Sequence, residues 1–279
     1  MNGVLYVVAT PIGNLEDITL RAIKILKEAD YVLCEDKRIT SRLLNKYEIK
    51  TKLIGFHKFN ENRILDNVLS LLTFGKNVAL VSDAGTPLVS DPGSVLVSAA
   101  RKNYINIVCI PGPSSLSSVL SICPFNFQEF LFLGFLPDDK SKRKKIFVSL
   151  SQRSKIVILF IAPHDLNKYL NELYDFYPEI EIFYAREVTK IYEESWVGKI
   201  TELLKLSEEK KLKGEIVLVL NFGSTSLNNS VSDNEIIDLT KSYVKKGYSL
   251  KEASKAVAKE FNLSSKKPYN LYLTLKTKN

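Results

Sequence analysis

Residues 81–93, VSDAGTPLVSDPG, combine two aspartates, three hydroxyl side chains and several glycine and proline turns. A strand-to-helix connection normally needs only a few residues, and this one directly follows the apolar run 78–81. Carboxylates and hydroxyls on such a loop can hydrogen-bond a small ligand. Because α/β proteins bind small ligands at the carboxyl ends of their strands, the stretch predicts a ligand-binding loop.

Two more loops of the same kind follow apolar runs. Residues 10–14, TPIGN, come after LYVVA, and residues 111–115, PGPSS, come after INIVCI. Three loops that converge at one edge of a sheet predict a cofactor cleft, whereas the simpler interpretation is three ordinary turns. Neither a GxGxxG dinucleotide loop nor a Walker phosphate loop occurs in the sequence, which argues against nicotinamide and ATP chemistry.

Alternating elements must position these loops. Strand-like apolar runs alternate with helix-like segments over residues 4–115, with helices predicted at 18–29 and 40–47 among others. This alternation predicts a mostly parallel sheet covered by helices on both faces. The composition changes at 121–126, and a second series of strands and helices follows.

The sequence therefore predicts an N-terminal α/β domain over residues 1–120, a second α/β domain over 121–225 and a C-terminal part over 226–279. Serine, asparagine and glycine between 221 and 233 predict a linker at the start of that last part. Beyond the linker, Ser249 and Glu252 have the spacing of a capping box, and the segment predicts a small helix-turn-helix-like appendix.

Composition narrows the class of protein and its partners. The 279 residues include 39 basic and 31 acidic side chains, a net charge of +8, which favours a polyanionic partner. Three widely spaced cysteines, two histidines and the absence of a CxxC pattern predict reduced thiols in a cytosolic protein with no metal site. No apolar run approaches the roughly 20 residues that a membrane span needs, so no membrane partner is expected.

Seven segments, in order over roughly residues 4–220, match a known family: VVATPIGNLEDITLRA, YVLCEDKRITSRLL, ALVSDAGTPLVSDPG, PGPSSL, GFLP, AREVTK and KGEIVLV. They resemble the ribosomal small subunit methyltransferase I family, which has the tetrapyrrole methylase fold. The resemblance implies two α/β domains with a cofactor cleft between them. It also implies transfer of a methyl group from S-adenosylmethionine to the ribose 2′-hydroxyl of a cytidine in 16S rRNA, by a homodimer that acts on the rRNA or the small ribosomal subunit.

The same resemblance implies which residues contact the cofactor. They belong to the three loops and to two segments of the second domain: Pro11, Val81, Ser82, Asp83, Thr86, Ser114, Ser115, Ile161 and Val188. Ser114 is also a candidate N-cap for the helix that follows it. For Asp83 the alternative is a turn-forming role, because aspartate often hydrogen-bonds the backbone of its own loop.

Methyl transfer to a ribose hydroxyl needs donor and acceptor held in line, and a group that accepts the hydroxyl proton. In the EDKR and AREVTK motifs, the candidates for proton acceptance or substrate orientation are Glu35 and Glu187. Lys190 and Arg38 are the candidates for phosphate or ribose contacts. The alternative for these charges is an ion pair that holds the two domains together, with Arg186 or Arg38 as the cation.

A basic run near the composition change at 121–126, a candidate domain boundary or hinge, is the candidate RNA surface, with Lys140, Lys142, Arg143 and Lys144 as its members. The alternative is a solvated helix start. Residues 161–165, IAPHD, depart from the family, which usually has a Glu-Ser-Pro-His-Arg-like segment there. Two other functions stay open: a methyltransferase of the same fold for a small-molecule or protein substrate, and an rRNA-binding assembly factor with weakened catalysis.

Overall fold

The computed structural model describes residues 2–209, 212–223, 233–245, 247–260 and 264–276. These residues form two compact units, Met1–Ser224 and Thr225–Asn279. Among the described residues, the larger unit contains two five-stranded sheets and the smaller unit contains three helices. Most of the linker predicted at 221–233, namely residues 224–232, lies outside the described residues.

The first sheet is built from five short strands: β1 (Val4–Val8), β2 (Tyr31–Cys34), β3 (Lys52–Gly55), β4 (Val78–Val81) and β5 (Asn106–Ile110). Their spatial order is β3-β2-β4-β1-β5, and every neighbouring pair is parallel. The connecting helices are α1 (Leu20–Glu28), α2 (Lys37–Lys46), α3 (Glu61–Thr73), α4 (Ser94–Lys102) and α5 (Ser115–Ile122). The predicted parallel α/β sheet is confirmed.

Helices cover both faces of this sheet, which explains why its central strand β4 is apolar throughout. In β4, Ala79 and Val81 pack with α1 and α2 on one face, whereas Val78 and Leu80 pack with α3 and α4 on the other. Successive side chains of a strand point to opposite faces, so a strand buried on both sides needs apolar residues at every position.

Side-chain caps determine where two helices begin. The hydroxyl of Thr19 accepts a hydrogen bond from Ala22 N–H at 3.1 Å, so α1 begins at Leu20 and not at residue 18. The carboxylate of Asp36 accepts from Arg38 N–H at 2.8 Å, so α2 begins three residues before the predicted residue 40. Each cap satisfies a backbone donor that has no partner within the helix.

The second sheet is mixed. Its strands are β6 (Leu131–Phe135), β7 (Ile156–Ile161), β8 (Glu181–Arg186), β9 (Glu194–Lys199) and β10 (Ile216–Asn221), in the order β6-β7-β10-β8-β9. Only β6 and β7 are parallel. Strand β9 was not predicted from the sequence, because it is an edge strand of half-buried residues that alternate with exposed ones and it has no apolar run.

Helices cover both faces of the second sheet. One face packs on α6 (Lys140–Arg153), α7 (Leu166–Tyr174) and α8 (Ile200–Glu209), of which α8 was not predicted. The other face packs on Val119 of α5, the last helix of the first series. The boundary predicted at 120/121 therefore falls within a helix that joins the two sheets.

The smaller unit contains α9 (Asp233–Lys245), α10 (Leu250–Glu260) and α11 (Lys266–Lys276). Gly247 has a φ of 93°, a left-handed conformation that favours glycine, in the turn between α9 and α10. The predicted capping box is confirmed, since Ser249 N–H donates to the Glu252 carboxylate at 3.0 Å and Glu252 N–H donates to Ser249 Oγ at 3.3 Å.

Two kinds of feature are absent from the residues that the structure describes. Within that part of the chain, no helix combines the length and apolar character needed to cross a membrane. The same residues include no group of three or more His, Cys, Asp or Glu side chains placed to hold a metal ion.

Candidate active site

The three loops predicted to bind a ligand lie next to one another. They follow β1, β4 and β5, which are neighbours in the sheet. Thr10 and Gly85 exchange backbone hydrogen bonds of 2.9 and 3.0 Å, and the Thr86 hydroxyl donates to the Pro113 carbonyl at 3.2 Å. These hydrogen bonds join the three loops at the carboxyl edge of the sheet, where open α/β sheets bind their ligands.

The 81–93 loop has an unusual backbone. Gly85 has a φ of 81°, and two non-glycine residues, Leu88 and Ser90, have φ values of 71° and 70°. A left-handed conformation costs a non-glycine residue about 1 kcal/mol or more, so the surrounding bonds must hold the loop in place. One of these bonds runs from Ser82 Oγ to the Gly85 carbonyl at 3.0 Å. Strained residues of this kind concentrate at binding sites.

A cavity of about 360 Å³ lies between the three loops and the second sheet. Apolar side chains line the part of its wall that the second sheet forms: Phe160, Ile161, Ile216 and Val217. Polar side chains line the part that the first sheet's loops form: Asp83, Thr86, Asp91, Ser114 and Ser115. An apolar wall that faces a few polar groups is the usual composition of a small-molecule site, and the volume lies in the usual range.

Five of the nine predicted cofactor residues line this cavity: Asp83, Thr86, Ser114, Ser115 and Ile161. Ser114 occupies the N-cap position of α5, but its side chain makes no capping hydrogen bond, so its hydroxyl is available to a ligand. The other four, Pro11, Val81, Ser82 and Val188, do not line it. Val81 and Ser82 are buried beneath the loop, and Val188 packs against the core of the second sheet.

Asp83 and Asp91 line the polar side of the cavity, and Glu35, which does not line it, interacts electrostatically with both. Burial raises the pKa of Asp91 to about 6, with the charges of Glu35 and Asp83 adding to the shift. Burial also raises the pKa of Asp83 and of Glu35, which repel each other. A cationic ligand relieves such repulsion, so this side of the cavity suits positive charge. Asp91 was not singled out from the sequence, although it belongs to the same thirteen-residue motif.

Asp83 also shapes the loops. Its Oδ1 accepts a hydrogen bond from Asp36 N–H at 3.0 Å, which joins the loop after β2 to the loop after β4. This bond reaches a different loop, so it is not the turn-forming role considered for Asp83; the residue joins two loops and also lines the cavity wall.

Known proteins share both the sequence and the fold. Residues 4–204 match the family described as Tetrapyrrole (Corrin/Porphyrin) Methylases. A "Ribosomal RNA small subunit methyltransferase I" from Thermotoga maritima is 43% identical over 219 residues, which are 78% of this chain and 98% of that protein. The protein of that name from Bacillus subtilis is 37% identical over 277 residues, 97% of this chain and 94% of its own. The chain belongs to this methyltransferase family.

Solved structures of other tetrapyrrole methylases show the same fold. Cobalt precorrin-4 methyltransferase, a cobalamin biosynthetic enzyme, has a TM-score of 0.59 at 15% identity and covers 78% of this chain and 95% of its own. Uroporphyrin-III-C-methyltransferase from Thermus thermophilus has a TM-score of 0.56 at 22% identity and covers 79% and 94%. The predicted family and fold are confirmed.

In this tetrapyrrole methylase, the AREVTK motif holds the two sheets together. Asn14 N–H donates to Thr189 Oγ1 at 3.1 Å, which joins the first loop to the motif. The Lys190 ammonium donates to Glu187 at 2.8 Å and to Glu215 at 3.3 Å. Glu187 and Thr189 have φ values of 50° and 69°, so the backbone of this segment is strained as well.

The surroundings of Glu187 keep it ionised. Burial alone raises the pKa of its carboxyl, but the hydrogen bonds from the Lys190 ammonium and the Glu215 N–H outweigh burial and lower it. The alternative of an ion pair that holds the two domains together does not describe Glu187, which pairs with Lys190 three residues along the same motif and not with an arginine. Arg186 instead binds Glu194 on β9 at 2.6 Å, and Arg38 binds its own helix cap Asp36 at 2.6 Å.

The structure contradicts one predicted RNA contact in this methylase. Arg143 is 1% exposed, and its guanidinium donates to both Glu172 oxygens at 2.7 and 2.8 Å and to the carbonyls of Pro137 and Asp138. Its spacing with Phe147 and Leu150 places it on the buried face of α6, a periodicity that was visible in the sequence. The neighbours Lys140, Lys142 and Lys144 are exposed.

The divergent segment 161–165 divides between the cavity and the surface. Ile161, Ala162 and Pro163 line the cavity. The His164 side chain is 81% exposed, and its Nε2 lies 3.5 Å from an oxygen of Asp165. Of the positions that depart from the family pattern, Ile161 and Ala162 therefore border the predicted cofactor site, whereas Asp165 does not.

Proposed function

We propose that this protein transfers a methyl group from S-adenosylmethionine to the ribose 2′-hydroxyl of a cytidine in 16S rRNA. The observation that carries the proposal is the cavity between the three bonded loops and the second sheet, with its apolar wall and its carboxylates. Relatives named for ribosomal RNA methylation, 37 to 43% identical, support the choice of substrate.

The residues of the cavity fit this cofactor. Phe160, Ile161 and Val217 provide an apolar slot for an adenine ring. Asp83 and Asp91 provide negative charge for the sulfonium and the ammonium group. When bound, the cofactor supplies an electrophilic methyl group, and the loops must hold it in line with the acceptor oxygen.

Glu35 is the better of the two proposed proton acceptors. Although the residue as a whole is exposed, partial burial of its carboxyl and the nearby charge of Asp83 raise its pKa, so its carboxylate is more basic than that of an ordinary glutamate. The Glu187 carboxylate is held by Lys190 and by a backbone N–H, and its lowered pKa makes it a weaker base. We propose that Glu187 positions Lys190, and that Lys190 contacts the ribose or its phosphate.

Exposed cations provide the proposed contacts to the RNA backbone. Arg38, with its side chain 87% exposed, follows Glu35 closely in the chain, and Lys140, Lys142 and Lys144 lie at the exposed start of α6. Because exposed cations bind phosphates by releasing counterions, RNA affinity should depend strongly on salt. Pro11, Val81, Ser82 and Val188 do not line the cavity, and we propose that they support the residues that do. A homodimer and a cytoplasmic location stay predictions from the family.

Mass spectrometry of ribose methylation tests the proposal directly. Nuclease digests of 16S rRNA from cells with and without the gene should differ by the loss of one 2′-O-methylcytidine. Purified protein should restore the mark in the presence of S-adenosylmethionine, with free 16S rRNA and assembled small subunits assayed side by side. Identical rRNA from both strains would overturn the proposal. Cofactor binding without turnover would instead identify an assembly factor.

A further inference from the structure

The C-terminal unit is much more basic than the rest of the chain. Residues 225–279 contain ten lysines and five acidic residues, so they carry +5 of the net charge of +8. This excess is concentrated in about a fifth of the sequence. A concentration of positive charge of this kind is typical of surfaces that bind polyanions.

Three of the lysines share one groove. The groove has a volume of about 340 Å³ and is lined by residues of α10, of α11 and of the turn before α11: Lys251, Ser254, Lys255, Ser265, Lys266, Tyr269 and Asn270. Lys251 and Lys255 are one helical turn apart on α10, and Lys266 begins α11. All three lysines are exposed, as is the ring of Tyr269.

These three ammonium groups have no ion-pair partner among the described residues. Lysines elsewhere in the same unit do have partners, since Lys241 pairs with Asp238 at 3.5 Å and Lys267 with Asp233 at 3.1 Å. Glu252 lies beside Lys255, but its carboxylate is bonded to the backbone and hydroxyl of Ser249. Like charges four residues apart destabilise a helix, so the groove gathers positive charge at a cost to folding.

The methylase fold is complete without this unit. The family match ends at residue 204, within the larger unit. The match to the relative from Thermotoga maritima spans 219 residues, which are 98% of that protein and 78% of this chain. About a fifth of this chain therefore has no counterpart in that relative. Because the cavity also lies wholly in the larger unit, the C-terminal unit is free to serve a separate binding role.

We propose that the groove of α10 and α11 binds the phosphodiester backbone of the RNA substrate. Lys251, Lys255 and Lys266 would contact phosphates, and Ser265 and Asn270 offer hydrogen bonds to phosphate or ribose oxygens. The exposed ring of Tyr269 offers a stacking surface for an unpaired base. The proposal rests on the rRNA substrate proposed above and adds a second RNA contact to the one at α6.

The test compares two triple variants of the full-length protein with equal changes of charge. Lys251→Gln, Lys255→Gln and Lys266→Gln neutralise the groove, whereas Lys241→Gln, Lys245→Gln and Lys267→Gln neutralise lysines outside it. Affinity for unmethylated 16S rRNA is measured by filter binding over a range of salt concentrations. The loss of three phosphate contacts should lower the slope of log affinity against log salt by about 2 and the affinity at 0.1 M salt by about 10²-fold.

The control triple should bind rRNA nearly as the wild type does, because its lysines do not line the groove. The groove triple should raise KM for rRNA and leave kcat and S-adenosylmethionine affinity unchanged. Equal rRNA binding by the groove triple and the wild type would overturn the proposal, and so would equal weakening by both triples, which would indicate general attraction only. Absence of methyl transfer by the wild type would count instead against the proposed function.

If the triple variant of the groove lysines does not fold, a second measurement on the wild-type protein tests the proposal. Ultraviolet crosslinking of wild-type protein to 16S rRNA, followed by peptide mapping, should identify Tyr269 and its neighbours among the crosslinked residues. Crosslinks confined to the larger unit would refute the groove as an RNA contact.

Discussion

Asp83 has two roles in the structure, and two substitutions separate them. Its Oδ1 accepts the Asp36 N–H at 3.0 Å, and its charge faces the cavity. Asp83→Asn keeps an acceptor oxygen and removes the charge, whereas Asp83→Ala removes both. If the carboxylate binds a cationic group of the cofactor, both variants should weaken S-adenosylmethionine binding.

The magnitudes of the two effects differ. A hydrogen bond that involves a charged group contributes about 1.5–3 kcal/mol, so both variants should bind the cofactor about 10- to 150-fold more weakly. Only the alanine variant loses the bond between the loops, which contributes about 1 kcal/mol and should lower Tm by about 2–4 °C. Burial raises the pKa of Asp83, so its ionisation at neutral pH opposes folding, and Asn should leave Tm unchanged or higher.

Calorimetric titration and thermal unfolding measure these quantities on the same samples. Asp139 provides a matched control, because its Oδ1 also accepts a backbone N–H, that of Lys142 at 2.7 Å, but it lies outside the cavity wall. Asp139→Asn and Asp139→Ala should leave cofactor affinity unchanged. Wild-type affinity in Asp83→Asn, with weaker binding only in Asp83→Ala, would refute the role of charge and leave Asp83 as a residue that shapes the loop.

Three further substitutions test other parts of the site. The pKa of Asp91 is raised to about 6, so its contribution to stability is full below about pH 4 and is lost as pH rises through 6. Asp91→Asn should therefore raise the free energy of unfolding by about 1–3 kcal/mol at pH 8 and leave it unchanged at pH 4. Urea titration at both pH values measures this difference. Glu35→Gln should slow single-turnover methyl transfer by about 10²-fold with little change in the affinity for cofactor or rRNA. Glu187→Gln should lower Tm and weaken rRNA binding. Full activity in both variants would remove these carboxylates from the mechanism. Arg143→Met should lower the free energy of unfolding by about 3–5 kcal/mol, because it leaves the Glu172 carboxylate unpaired. The salt dependence of rRNA binding should not change. A smaller salt dependence in the folded variant would restore Arg143 as an RNA contact.

The sequence alone determined the local features of this protein. Apolar runs buried on both faces identified the parallel strands, and the turn residues of 81–93 identified the loop that lines the cavity. The spacing of Ser249 and Glu252 identified a cap that the structure contains. Strand periodicity, turn chemistry and capping depend on residues close together in the chain, so they can be recognised without the fold.

Only the tertiary structure decided which charges face solvent and which are bonded. Arg143 and Lys142 are adjacent in one basic run, yet α6 turns Arg143 toward Glu172 and leaves Lys142 exposed. The Glu187 carboxylate accepts the distant Glu215 N–H, and Asp91 has a raised pKa because folding buries it and brings the charges of Glu35 and Asp83 near it. Burial and electrostatic interactions depend on groups far apart in sequence, and folding alone sets those distances.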